Sequence, residues 1–156
     1  EWQMVYHRNP PYEILQNKLI DFATMQRLRR FARFWDLVGN SGNFVETTPL
    51  IWSTTESPFA AFLRWSDWLY ARLGHQSGIA LPRLVELLFE FLTRELGLAP
   101  SVVAKTLWHD YQRGGRSDKP PLLRDYLGDG EKPCPSRSVA GGLKRQTRHL
   151  ANVAAR

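Results

Sequence analysis

The sequence predicts an all-α domain: a compact bundle-like or orthogonal array of four main helices, with an extended N-terminal segment before it and a flexible basic tail after it. Three observations carry this expectation. Apolar side chains recur at spacings of three and four along residues 21–113. Asp, Ser, Pro and Gly stand where helices would start and stop. From Gly128 the composition shifts to Gly, Pro, Ser and Lys in GDGEKPCPSRSVAGG, which reads as a linker. The chain therefore divides into a connector (1–20), a helical domain (21–127) and a linker with a basic tail (128–156).

Taken in order, EWQMVY alternates loosely and suggests a short strand ahead of the Pro10-Pro11 break. Tyr12 to Gln16 is then an extended connector, because two prolines disfavour helix entry. Asp21 can N-cap a helix to Val38 whose apolar face is Phe22, Met25, Leu28, Phe31, Phe34, Trp35 and Val38. Gly39 is its natural C-cap, and Asn40-Ser41-Gly42-Asn43 tolerate turn conformations. Phe44 to Ser53, with Pro49, reads as an irregular or briefly extended connection.

Ser57-Pro58 is a strong start signal and Gly74 a stop, enclosing an inner stripe of Phe59, Phe62, Leu63, Ser66, Leu69, Tyr70 and Leu73. A third helix from Pro82 to Gly97 turns Leu84, Leu87, Leu88, Phe91 and Leu92 inward. Val85, Phe89 and Leu96 widen its apolar arc, so it is expected to touch neighbours on two sides. The fourth starts at Pro100-Ser101, carries Val103, Leu107, Trp108 and Tyr111, and stops at Gly114-Gly115. A short helix follows around Leu122 to Leu127.

The length of 156 residues suits one domain, which can bury roughly 70% of its extended-chain surface. No apolar run approaches the roughly 20 residues that span a bilayer. No basic segment followed by an apolar stretch opens the chain, and Cys134 is the sole cysteine, so a reducing, cytoplasmic setting is expected. The net charge of +6 is unevenly spread. Residues 1–131 hold 15 basic and 15 acidic side chains, and the excess comes from Lys132, Arg137, Lys144, Arg145, Arg148 and Arg156. A neutral folded part argues against a nucleic-acid-binding surface.

Catalytic signatures are sparse. His7, His75, His109 and His149 form no HExxH or close metal pair, and no nucleophile elbow, P-loop or dinucleotide fingerprint occurs. His109 and Asp110 are adjacent, but successive helix positions diverge by about 100° and do not face one another. The basic run Arg27, Arg29, Arg30 and Arg33 reads either as a solvated helix face or as a site for carboxylates or phosphates. Asp36, Asn40, Ser41 and Asn43 read either as helix-termination chemistry or as the rim of an interdomain cavity.

Four segments carry a family resemblance: PPYEILQ (Pro10 to Gln16), RRFARFWDLVGNSGNF (Arg29 to Phe44), SPFAAFLRWSDWLYARLG (Ser57 to Gly74) and WHDYQRGGRSDKP (Trp108 to Pro120). Together they resemble the C-terminal domain of bacterial cobalamin-binding (B12-binding) radical-SAM proteins, over most of the chain. The resemblance implies that residues 1–20 lead out of an upstream catalytic domain. It implies that the helical part is noncatalytic and contributes interdomain packing and a wall of the substrate cavity. Arg30, Arg33, Trp35, Asp36, Asn40, Ser41 and Asn43 are the candidate interdomain or cavity-facing residues. S-adenosylmethionine, an iron-sulfur cluster and cobalamin are implied for the parent protein, with its radical-SAM and cobalamin-binding domains as partners in the same polypeptide. Neither CxxxCxxC nor DxHxxG occurs here, so no radical chemistry falls to these residues. The alternative is an independent helical interaction module whose basic tail, with KRQTRHL, binds an acidic protein or nucleic acid.

Overall fold

The computed structural model describes residues 1–55, 57–116, 118 and 120–127. The linker and basic tail expected at 128–156 lie outside the described residues. The described part is mostly helical, and the expectation of an all-α fold needs one correction: the N-terminal segment forms a two-stranded sheet. Strands β1 (Val5–Tyr6) and β2 (Ile14–Gln16) run antiparallel, with Val5 opposite Gln16, Tyr6 opposite Ile14 and a bulge between. Flanking bonds from His7 N–H to the Glu13 carbonyl (2.8 Å) and from Lys18 N–H to the Trp2 carbonyl (2.9 Å) lengthen the ribbon. Two segments that cannot enter a helix thus satisfy their backbone groups on each other. The Pro10-Pro11 peptide at the turn is cis.

Helix α1 (Phe22–Val38) starts where expected, with the Asp21 carboxylate accepting the Thr24 N–H at 2.7 Å. That bond holds the Asp21 carboxyl below its usual range. Gly39 caps its far end, as expected. Gly39 keeps right-handed helical angles, so its value is not conformational freedom. The Trp35 indole lies over its backbone, and a Cβ at Gly39 would sit 2.7 Å from that ring.

A short 3-10 turn (Thr48–Trp52) precedes α2 (Pro58–Leu73), which the Ser57 hydroxyl caps by accepting Ala60 N–H at 3.2 Å and which Gly74 closes at φ 70°. Next come α3 (Leu81–Glu90), which widens into a π turn (Phe91–Glu95), then α4 (Pro100–Arg113) and the short α5 (Pro121–Arg124).

Contacts pair α1 with α2 and α3 with α4, and seat the 3-10 turn against α2. Trp35 meets Phe62, Phe34 meets Trp65 and Arg27 meets Asp67, so α1 and α2 run antiparallel. The core gathers Phe34, Ile51, Phe62, Trp65, Leu69, Leu88, Leu92, Leu107 and Leu123, each sealed from solvent. Val85 and Phe89 are buried too, so α3 is the central helix its wide apolar arc implied.

Three residues assigned to inner stripes lie at the surface instead: Phe22, Phe59 and Tyr70. Phe22 lies on the side of α1 turned away from α2, and Phe59, at the edge of the α2 stripe, packs on Phe31 at 5.1 Å and is otherwise open to solvent. Tyr70 is roofed by the Arg30 guanidinium, 4.4 Å from its ring centre.

Two substitutions separate core filling from close approach. Trp65→Ala is expected to lower unfolding free energy by about 3–5 kcal/mol, the cost of an aromatic cavity. Gly39→Ala, which adds only a methyl, is expected to cost about 1–3 kcal/mol because the Trp35 ring must shift. Urea midpoints at constant m-value read both.

Candidate interdomain surface

The basic run on α1 divides between the two readings. Arg27 donates from Nε to Asp67 Oδ2 on α2 at 2.8 Å, with a second bond from Nη2, and this pairing raises the guanidinium pKa. Arg29 pairs with Glu13 at the end of the ribbon. Arg30 stacks on Tyr70. Arg33 is exposed and enters no ion pair or hydrogen bond among the described residues. Three of the four cations are engaged inside the fold, and one points outward.

The loop after α1 satisfies itself. Asn40 donates from its side chain to Asp36 Oδ1 at 2.8 Å and from its backbone to the Trp35 carbonyl at 3.0 Å. Ser41 Oγ donates to the Val38 carbonyl at 3.4 Å and accepts Asn43 N–H at 3.1 Å. Gly42 takes the left-handed conformation at φ 75° that this turn requires. Trp35 turns away from the loop into an aromatic seam, 4.8 Å edge-on to Phe62 and between Phe31 and Trp52. Arg30 and Trp35 therefore face α2, Ser41 and Asn43 close a turn, and Arg33, Asp36 and Asn40 share the outer side of α1. The seven do not converge on one point. An open groove of about 680 Å³ beside α3, walled by the ion pairs Arg83–Glu86 and Arg94–Glu90, includes none of them.

Sequence reasoning missed Asp110. This carboxylate is 1% exposed and accepts the Glu46 N–H at 3.0 and 3.1 Å and the Thr47 N–H at 2.8 Å. Glu46 in turn accepts from Arg113 at 2.9 Å and meets His109 Nδ1 at 2.7 Å. His109 and Asp110 do diverge on the helix, yet both reach the same residue, one its side chain and the other its backbone. A signal was present. Asp110 lies three positions after Leu107 and one before Tyr111, within the inward arc of α4, where an acid needs a partner. The partner, 64 residues earlier, was not visible from local spacing.

The ribbon is the largest departure from ordinary burial. Every residue from 1 to 12 is exposed, although the stretch includes Trp2, Met4, Val5, Tyr6 and Tyr12. Trp2 is 59%, Tyr12 61% and Leu19 75% accessible. β2 contacts the helical body along α1, with Glu13 fastened to Arg29. Five strand residues form too small a sheet to be stable by themselves in water.

Among the described residues, no three His, Cys, Asp or Glu side chains gather as a metal site, and no helix is long and apolar enough to cross a membrane. Cys134 lies outside the described residues.

These features define a helical domain that carries an exposed apolar ribbon on one side of its first helix. The chain belongs to the family described as "Protein of unknown function (DUF4080)", whose model matches residues 1–152. No curated protein and no solved structure matches the chain.

Removing the buried acid tests the link between α4 and the loop. Asp110→Ala is expected to cost about 2–3 kcal/mol, because charge-assisted bonds are lost and two N–H groups are left unpaired. The amides of Glu46 and Thr47 should then exchange with solvent faster than in wild type. Arg27→Met, which breaks an exposed pair, is expected to cost no more than about 1 kcal/mol.

Proposed function

We propose that this chain is a noncatalytic, helical domain of a cobalamin-binding radical-SAM enzyme, and that it contributes interdomain packing and a wall of the substrate cavity. The observation that carries this reading is the exposed ribbon. Trp2, Met4, Tyr6, Tyr12 and Leu19 present large apolar side chains to water on an element too small to be stable unaided, which fits a surface made to be covered. The resemblance carried by PPYEILQ and RRFARFWDLVGNSGNF names the partner: the radical-SAM and cobalamin-binding domains of the same cytoplasmic polypeptide. In that assembly S-adenosylmethionine, the iron-sulfur cluster and cobalamin belong to the partner domains. This chain supplies contact area and the polar edge formed by Arg33, Asp36 and Asn40.

The size of the native polypeptide tests the proposal. An antibody raised against residues 57–113 is expected to detect, in cells of the source organism, a polypeptide several times longer than this chain. Its peptides should include a CxxxCxxC segment. Detection only of a species of this chain's own length would overturn the reading and favour the independent interaction module.

A further inference from the structure

We propose that the adjoining domain of the same polypeptide places a carboxylate against Arg33, and that this ion pair fixes how the domain seats on the ribbon. The inference rests on the interdomain reading above and adds to it the chemistry of the contact.

Helix geometry supplies the placement. Positions 22, 29, 33 and 36 of α1 fall within about 40° of one line along the helix, at 100° per residue. Positions 27, 31, 34 and 38 lie on the other side, where α2 packs. The ribbon lies along the former line, because β2 contacts α1 and Glu13 reaches Arg29. Arg33 is one turn beyond Arg29, at the border between the exposed ribbon and the loop. A domain that covers Trp2, Tyr6, Tyr12 and Phe22 would reach this turn as well.

Charge then decides what that domain must carry. A guanidinium taken out of water without an anion loses several kcal/mol of solvation, and a planar fork is best matched by a carboxylate. Of the anions around α1, Asp67 pairs with Arg27 and Glu13 with Arg29, while Asp36, three positions after Arg33, accepts the Asn40 amide and makes no ion pair with Arg33. Arg33 has no partner among the described residues, so a domain that covers it has to bring the anion. Arginine is also among the side chains that dominate protein interfaces when desolvated.

Amide hydrogen exchange on the intact polypeptide tests this, comparing wild type with Arg33→Lys, Arg33→Met and Arg33→Glu. In wild type, amides of residues 2–7 are expected to be protected well beyond what the isolated ribbon would give. Arg33→Met and Arg33→Glu are expected to reduce that protection by about tenfold or more, the glutamate more strongly, and Arg33→Lys to retain part of it. Treating the Arg33→Lys variant with a carbodiimide should join that side chain to an Asp or Glu of the adjoining domain, located by peptide mass. Protection of residues 2–7 that is unchanged in all three variants would overturn the role of Arg33 and leave the docked ribbon standing. Free exchange of residues 2–7 in wild type would remove the docked ribbon itself. Loss of protection in Arg33→Glu with no carbodiimide crosslink would exclude a carboxylate as the anion.

Discussion

The structure depends on the aromatic seam between α1 and α2. Phe34, Phe62 and Trp65 are sealed inside it, and Phe31, Trp35 and Trp52 flank it at ring-centre distances of 4.8–6.3 Å. Rings of this size interlock, so the rotation of α1 about its own axis is set by which of its residues are aromatic. Once Phe31, Phe34 and Trp35 face α2, Arg29 and Arg33 must face the other way. The outward turn of Arg33 is a consequence of core packing, and so is the turn of Arg29 toward the ribbon, where Glu13 meets it. Gly39 belongs to the same constraint, since only a residue without a Cβ leaves room for the Trp35 ring at the helix end.

Asp110 does for the loop what the seam does for the helices. The stretch between α1 and the 3-10 turn is irregular, and its backbone donors at Glu46 and Thr47 find no helical acceptor. A buried carboxylate on α4 takes both, and Arg113 and His109 hold the Glu46 side chain on the surface above. Phe44 and Ile51 are thereby fixed in the core at either end of the segment. The polar loop at Asn40–Asn43 is consequently anchored from both sides: by Trp35 and Val38 carbonyls before it, and by α4 after it.

Much of this architecture was legible in the residues. The Asp21 and Ser57 caps, the Pro58 and Pro100 starts and the Gly74 stop are local signals whose chemistry acts within four residues, and each stands where the pattern put it. What escaped was non-local. The pairing of Val5–Tyr6 with Ile14–Gln16 required two segments, one read as a short strand and the other as an extended connector, to find each other across a turn. Phe22 and Phe59 fit the spacing of three and four and still lie outside, because steps of three drift about 60° each round the helix and carry Phe22 to the side of α1 away from α2 and Phe59 to the edge of the α2 stripe. The candidate surface was legible as a group of residue types. Their division, with Arg27 and Arg29 engaged and Arg33 free, depends on Asp67 and Glu13, at separations no motif records.

The division of the arginines bears on how a domain of this kind can be specific without chemistry of its own. Apolar ribbon residues favour almost any hydrophobic surface and distinguish poorly between seats a few ångströms apart. An unpaired guanidinium beside them, such as Arg33, penalises a seat that covers it without presenting an anion. Arg27 and Arg29, already in ion pairs, add no competing preference. In the proposed docking the ribbon supplies the bulk attraction and Arg33 a directional term, so that one edge of α1 would carry both contact area and register.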